Sequence, residues 1–250
     1  MTRLIAEQLR RRARTSGADP LVTYYDLDSG ERTELSATSF LNWVDKTSNL
    51  FVDELLLDPG AVVDLELART APGHWVTLVI AMAAWQVGAT VSVGATRPAE
   101  EPDLLVLGPD WADHERGSAD NVLACSLHPL GLGFNQPLPS DVMDFTLEVR
   151  GQSDLHSPGA RSGTEPVWVD ASRQLSQADL VSADRDQEAL GSSPQPTAAR
   201  RVVLASEPWP TIRDGLLVPV LTGGSAVLVT GQDQARLPHI AETERAELPD

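Results

Sequence analysis

The sequence is almost without lysine and cysteine. Lys46 is the only lysine among 19 basic residues; the other 18 are arginines. Chemistry that needs a mobile ammonium therefore rests on Lys46, because a guanidinium holds its protons too tightly to substitute. Cys125 is the only cysteine. An intramolecular disulfide is excluded, and so is a zinc site built from several thiolates. Long apolar runs are missing as well. The longest, near Trp75–Val87, falls short of the roughly 20 residues that cross a bilayer. The N-terminal stretch MTRLIAEQLRRRARTSGADP spreads charge through its length and lacks the apolar core of a signal peptide. Cytoplasm is the expected location.

What is abundant is acid. Asp and Glu number 36, giving a net charge of −17 over 250 residues. That balance opposes non-specific binding to nucleic acid or to an anionic membrane. It fits a solubilising acidic surface better than an acidic recognition surface. Hydrophobic residues make up 42% of the chain, too many for a disordered acidic polymer.

Periodicity predicts an α/β fold of layered sheet and helix, with six or seven core strands in one domain over residues 1–250. Leu4, Ile5, Leu9 and Ala13 mark an opening helix. LVTYYD and ERTELS read as a hairpin around Gly30. Ser36 or Thr38 caps a helix that buries Phe40, Val44, Leu50, Phe51 and Leu55. AVVDLEL, a helix from Gly73 to Val87, and TVSVGA then give strand, crossover helix, strand: a parallel unit. DLLVLG, NVLACSL, PVWVD, RVVLAS and SAVLV read as further strands. DFTLEVR (144–150) reads as an edge strand or an extended lead-in. Leu175, Ala178, Leu180 and Val181 lie on a helix, and a C-terminal helix covers about Asp233–Arg245. A flexible surface loop is expected over 151–165, where GQSDLHSPGARSGTEP is rich in turn formers.

Chemical constellations are sparse. Cys125, at the end of an apolar run, reads as a packed residue rather than a nucleophile. The five histidines form no closely spaced ligand pair. Asp110, Asp113, His114 and Glu115 are close in sequence but read as a solvated loop, so no metal site is assigned. His74 at a helix start reads as a packing or capping residue before a ligand contact. Ser126 and His128 lack the G-x-S-x-G elbow of a hydrolase. GLGF at Gly131–Phe134 and the pair Gly223–Gly224 read as turns, since the glycine spacing of a dinucleotide fingerprint is missing.

ERTELSATSFLNWVDKTSNLFVDELLLDPGAVVDLEL, followed by APGHWVTLVIAMAAWQVGATVSVG, resembles the N-terminal part of the adenylate-forming (acyl-CoA synthetase, AMP-binding) superfamily. The shared points are Leu35–Ser36, Asn49, Pro59–Gly60 and Gly88–Ala89, with Ala61 where the family turn has aspartate. Residues 201–229 resemble its later strand, helix, Gly-Gly and strand. The whole also resembles a short stand-alone group of uncharacterised actinobacterial proteins. The resemblance implies a phosphate loop rich in Thr, Ser and Gly and ending in lysine, between PVWVD and the next helix. This chain reads VDASRQLSQADLV there. Ser172, Arg173 and Ser176 are the residues able to meet an anion, and they read as exposed loop positions. The family's Tyr-Gly-x-Thr-Glu segment is absent, and no C-terminal lysine-bearing domain follows.

Adenylation needs positioned triphosphate, charge stabilisation and an aligned carboxylate together. The expected function is therefore a non-catalytic binding or interaction protein on a degenerate synthetase-like scaffold. No catalytic residue and no cofactor are assigned, and the cofactor-binding residues are unknown. Lys46 lies on the early helix and reads as non-catalytic. A homo-oligomer or a protein partner remains open, as does a small-molecule ligand. The alternatives are a partner-dependent adenylate-forming subunit and an unrelated enzyme on the same scaffold.

Overall fold

The structure, a computed structural model, describes residues 4–94, 101–115, 117–157, 165–182 and 199–249. In chain order the strands are β1 Pro20–Asp26, β2 Arg32–Ser36, β3 Val62–Leu65, β4 Thr90–Val93, β5 Leu104–Leu107, β6 Asn121–Ala124, β7 Met143–Asp144, β8 Pro166–Asp170, β9 Gln174–Ser176, β10 Arg200–Leu204 and β11 Ser225–Thr230. The helices are α1 Ile5–Ser16, α2 Ala37–Asn49, α3 Leu67–Thr70, α4 Trp75–Val87, α5 Phe145–Arg150, α6 Gln177–Leu180, α7 Pro208–Ile212, α8 Val218–Thr222 and α9 Leu237–Glu244. A π turn, Leu50–Glu54, continues α2, and a second, Arg213–Leu217, joins α7 to α8.

These elements form two compact units: Met1–Leu41 with Pro72–Leu78 and Gln177–Asp250, and Asn42–Ala71 with Val79–Ser176. The first holds a four-stranded sheet of order β10-β11-β1-β2. β1 and β10 flank β11 in parallel, and β2 closes β1 as the expected hairpin. Val202, Val227, Val229 and Leu27 pack on Ile240 and Ala241 of α9. The helix-ending glycine Gly223 takes the left-handed conformation that caps α8 at little steric cost.

The second unit holds a seven-stranded sheet of order β7-β6-β5-β3-β4-β8-β9. All neighbours are parallel except β8 and β9. β4 and β5 are buried at every position, as continuous apolar strands of a parallel sheet require. In this unit the Trp85 indole donates to the Val167 carbonyl at 2.8 Å, and Gln86 donates to Asp45 and Ser48 at 2.8 and 2.9 Å. A helix apolar on nearly all sides thus has its few polar groups answered.

Three local readings change. The 144–150 segment is a helix after its first residue: the Asp144 carboxylate accepts from the Thr146 and Leu147 amides, an N-cap that starts α5. Leu175 belongs to β9, which returns against β8, and the helix begins only at Gln177. Leu67 leaves β3 for the one-turn helix α3. Strands number eleven among the described residues, because short pieces such as β7 and β9 add to both sheets. Residues 158–164 of the expected flexible loop lie outside the described residues. Its first part is held to α2, with Asn49 Nδ2 donating to the carbonyls of Ser153 and Leu155 at 2.8 and 3.1 Å.

Candidate functional site

The segment between β8 and β9 is where the sequence resemblance locates a phosphate loop. It is a tight turn, Asp170–Arg173, closed by its own carboxylate. Asp170 Oδ1 accepts from the Ser172 amide at 2.8 Å, the Ser172 hydroxyl at 2.8 Å and the Arg173 amide at 2.9 Å. Asp170 Oδ2 accepts from the Trp168 indole at 2.9 Å and lies 3.3 Å from Arg173 Nε. Burial acts to raise the Asp170 pKa, but the hydrogen bonds from Trp168 and Ser172 and the Arg173 charge outweigh it and hold the carboxyl below its usual range. The two backbone amides that could meet an external anion at this turn already serve an internal one. The turn does not fit a triphosphate. Ser176 sits apart, within β9.

Lys46 donates to the Gln152 carbonyl. With Asn49 and the 2.8 Å contact between His156 Nδ1 and Asn49 Oδ1, it holds the start of the 151–157 segment. The helix-internal asparagine of the family pattern is thus, in this chain, an anchor for a strap.

His74 immediately precedes α4 and lies in the first unit. It is 4% exposed, and its Nδ1 accepts from the Val76 amide at 3.2 Å. That bond caps the helix and requires the Nε2–H tautomer. Nε2 is buried without a hydrogen-bond partner among the described residues. The ring meets Tyr24 edge-on at 4.8 Å and stacks on Trp75 at 5.7 Å. Burial lowers its pKa to about 4, opposed by the charge of Asp26. Gly73 makes this corner possible, since a Cβ there would lie 2.3 Å from the Ala205 Cβ.

The remaining candidates are structural in their contacts. Cys125 is buried, and burial, followed by the nearby Asp144 charge, pushes its thiol up, away from the thiolate. Ser126 donates to the Leu132 carbonyl at 2.5 Å, while His128 Nδ1 accepts from the Leu130 amide at 3.1 Å. Both side chains shape the GLGF loop, which Asp144 also pins through the Phe134 amide at 2.8 Å. His114 contacts Asp110 at 3.1 Å. Among the described residues no three His, Cys, Asp or Glu side chains gather as a metal site, and no helix is long and apolar enough to cross a membrane.

Two features escaped the sequence reading. One is a network in the first unit around Glu244, which accepts from Tyr25 at 2.5 Å, Arg32 at 2.9 Å and Arg200 at 2.5 Å. Desolvation opposes its ionisation, and bonding from Arg32 and Tyr25 with the Arg200 charge lowers its pKa overall. Its members are scattered along the chain. The other is Asp64 in β3, whose Oδ1 is buried without a hydrogen-bond partner among the described residues.

Comparison with known proteins agrees with this architecture. No family model matches the chain. The TIGR03089 family protein of Mycobacterium tuberculosis (strain ATCC 25618 / H37Rv) is 31% identical over 246 residues, covering 93% of this chain and 91% of that protein. The Brucella canis acyl-CoA synthetase structure superposes with a TM-score of 0.76 at 16% identity, over 98% of this chain and 47% of that one. The acetoacetyl-CoA synthetase of Streptomyces lividans gives 0.72 at 17% identity, over 97% and 41%. The N-terminal domain of FACL13 from Mycobacterium tuberculosis gives 0.66 at 14% identity, over 98% and 61%. The chain thus spans about half the length of the synthetase structures it matches. It belongs to the TIGR03089 family and has the fold of the N-terminal domain of adenylate-forming, acyl-CoA-synthetase-like enzymes.

Proposed function

We propose that this protein is a non-catalytic binding or interaction domain on an acyl-CoA-synthetase-like scaffold. The observation that carries the reading is the self-closed Asp170–Arg173 turn. A triphosphate needs convergent donors that are free when it arrives. Here the Ser172 and Arg173 amides already bond a carboxylate held in its charged form. An incoming phosphate would have to displace that carboxylate and remain beside its charge.

Lys46, the only lysine, supports the same reading because its ammonium is engaged by the Gln152 carbonyl. No side chain is assigned a catalytic role. The net charge of −17 supports the absence of nucleic-acid and anionic-membrane partners, and a cytoplasmic location is part of the proposal. The partner class is a small molecule, another protein or a second copy of the chain.

The test is carboxylate-dependent ATP–pyrophosphate exchange over fatty, aromatic and amino acids with magnesium, using an intact synthetase as positive control. The isolated chain is expected to give none. Robust exchange would overturn the reading, and exchange only after a second protein is added would favour a partner-dependent subunit.

A further inference from the structure

The sheet of the second unit carries a carboxylate with one oxygen unanswered among the described residues. Asp64 is the penultimate residue of β3 (Val62–Leu65); the residue is half-buried, and its Oδ1 is buried with no hydrogen-bond partner among the described residues. Register fixes what surrounds it. Ser92 of β4 and Leu105 of β5 lie directly opposite on its two sides. The row continues to Val169 beyond Ser92 and to Val122 beyond Leu105. Residues directly opposite share a sheet face, so Asp64 and Ser92 form a polar pair with Leu105 and Val122 on one side and Val169, then Gln174, on the other.

The charges nearby among the described residues do not answer it. Arg69 pairs with Glu66 at 3.0 Å, and neither bonds Asp64. Burial, with Glu66 adding and Arg69 opposing, raises the Asp64 carboxyl to about 6. At neutral pH the group is mostly ionised in a place that disfavours its charge.

Its position in the topology points the same way. The chain leaves β3 for β4 on one side, then returns to β5 on the other. The strand order reverses at β3, and in open parallel sheets ligands lie outside the carboxyl ends of the strands at such a reversal. Asp64 is one residue from the carboxyl end of β3, and Ser92 one residue from that of β4.

We propose that Asp64 and Ser92 form a binding site for the primary ammonium group of a small molecule. The carboxylate supplies the countercharge, the Ser92 hydroxyl accepts a second N–H, and the carbon body lies toward Val169, since Leu105 and Val122 already pack in the core with Val142. A divalent cation is the poorer match, because it needs about six oxygen ligands and no group of three or more His, Cys, Asp or Glu side chains gathers there among the described residues. A neutral hydroxyl would bond the carboxylate but leave its charge uncompensated. The site rests on the binding reading above and gives it a ligand class.

The test uses the whole protein and n-butylammonium chloride as the probe. The Asp64 side-chain carbon is followed by 13C NMR across pH, assigned by its loss in Asp64→Asn, with sodium chloride at equal ionic strength as control. The probe is expected to lower the Asp64 pKa by about one unit and, at pH 7.5, to raise the melting temperature. Ser92→Ala should weaken the half-saturating concentration about fivefold, the scale of one hydrogen bond. An unchanged Asp64 titration, a shift matched by sodium chloride, or an equal thermal shift in Asp64→Asn would overturn the site. Pyrophosphate exchange is read separately, so loss of this site leaves the non-catalytic reading standing and exchange activity would not by itself remove the site.

Discussion

His74 gives the stability of the protein a pH dependence of its own. The ordinary imidazole value is 6.5, and burial lowers it to about 4 in the folded chain. The unfolded chain therefore binds the extra proton between those values. The stabilising effect is complete above pH 6.5 and is lost as pH falls toward 4. Linkage converts the interval from pH 7.5 to 5.0 into about 2 kcal/mol of lost stability from this one group. His74→Asn removes the titration and keeps an acceptor able to cap α4, since asparagine is a good N-cap. Asp64 acts in the opposite sense, because its raised pKa stabilises the fold as pH falls through 6. That contribution is common to both proteins and cancels in their difference. The assay is urea unfolding at the two pH values. The wild type should lose about 2 kcal/mol more than His74→Asn between them. Agreement of the two pH dependences within about 0.5 kcal/mol would refute a buried neutral imidazole.

Glu244→Ala strands Arg32, Arg200 and Tyr25, and is expected to cost about 2–3 kcal/mol in urea unfolding, below the full buried-pair value because Arg32 is partly in solvent. Glu244→Gln should remove part of the acid sensitivity that appears as pH falls through the lowered carboxyl pKa. Gly73→Ala drives a methyl against Ala205 and should cost about 1–3 kcal/mol. Adding Ala205→Gly should recover a measurable part of it, with a coupling of at least about 0.5 kcal/mol in a double-mutant cycle. Asn49→Ala removes two donors from the Ser153 and Leu155 carbonyls and should speed amide exchange over 152–157 while leaving the β3–β4 pairing protected.

The architecture was legible where a period spans many residues. The α1 face, the β1–β2 hairpin, α4 and the apolar parallel strands follow from alternation and run length. Asp144 shows why the 144–150 segment was not: FTLEVR also alternates like a strand, and only the cap decides for a helix. The β8–β9 turn was located by order along the chain, but its closure by Asp170 depends on side-chain geometry. Cys125, read as a packed residue at the end of an apolar run, is buried, whereas the turn roles of Ser126 and His128 had no signal beyond the missing hydrolase elbow. Glu244 is opaque in sequence, since it joins Tyr25, Arg32 and Arg200 from three distant elements. Asp64 did leave a trace, as one acidic residue inside AVVDLEL. Its meaning required the strand order and the register of β4 and β5.

The account turns on whether the β8–β9 turn can receive phosphates. The direct measurement is the 15N amide shifts of Ser172 and Arg173 during titration with magnesium ATP. Both amides should stay unmoved to millimolar nucleotide in the wild type, as expected of donors already bonded to Asp170. Saturable shifts centred on these two amides would contradict the account, because they would show the carboxylate yielding its place to the triphosphate.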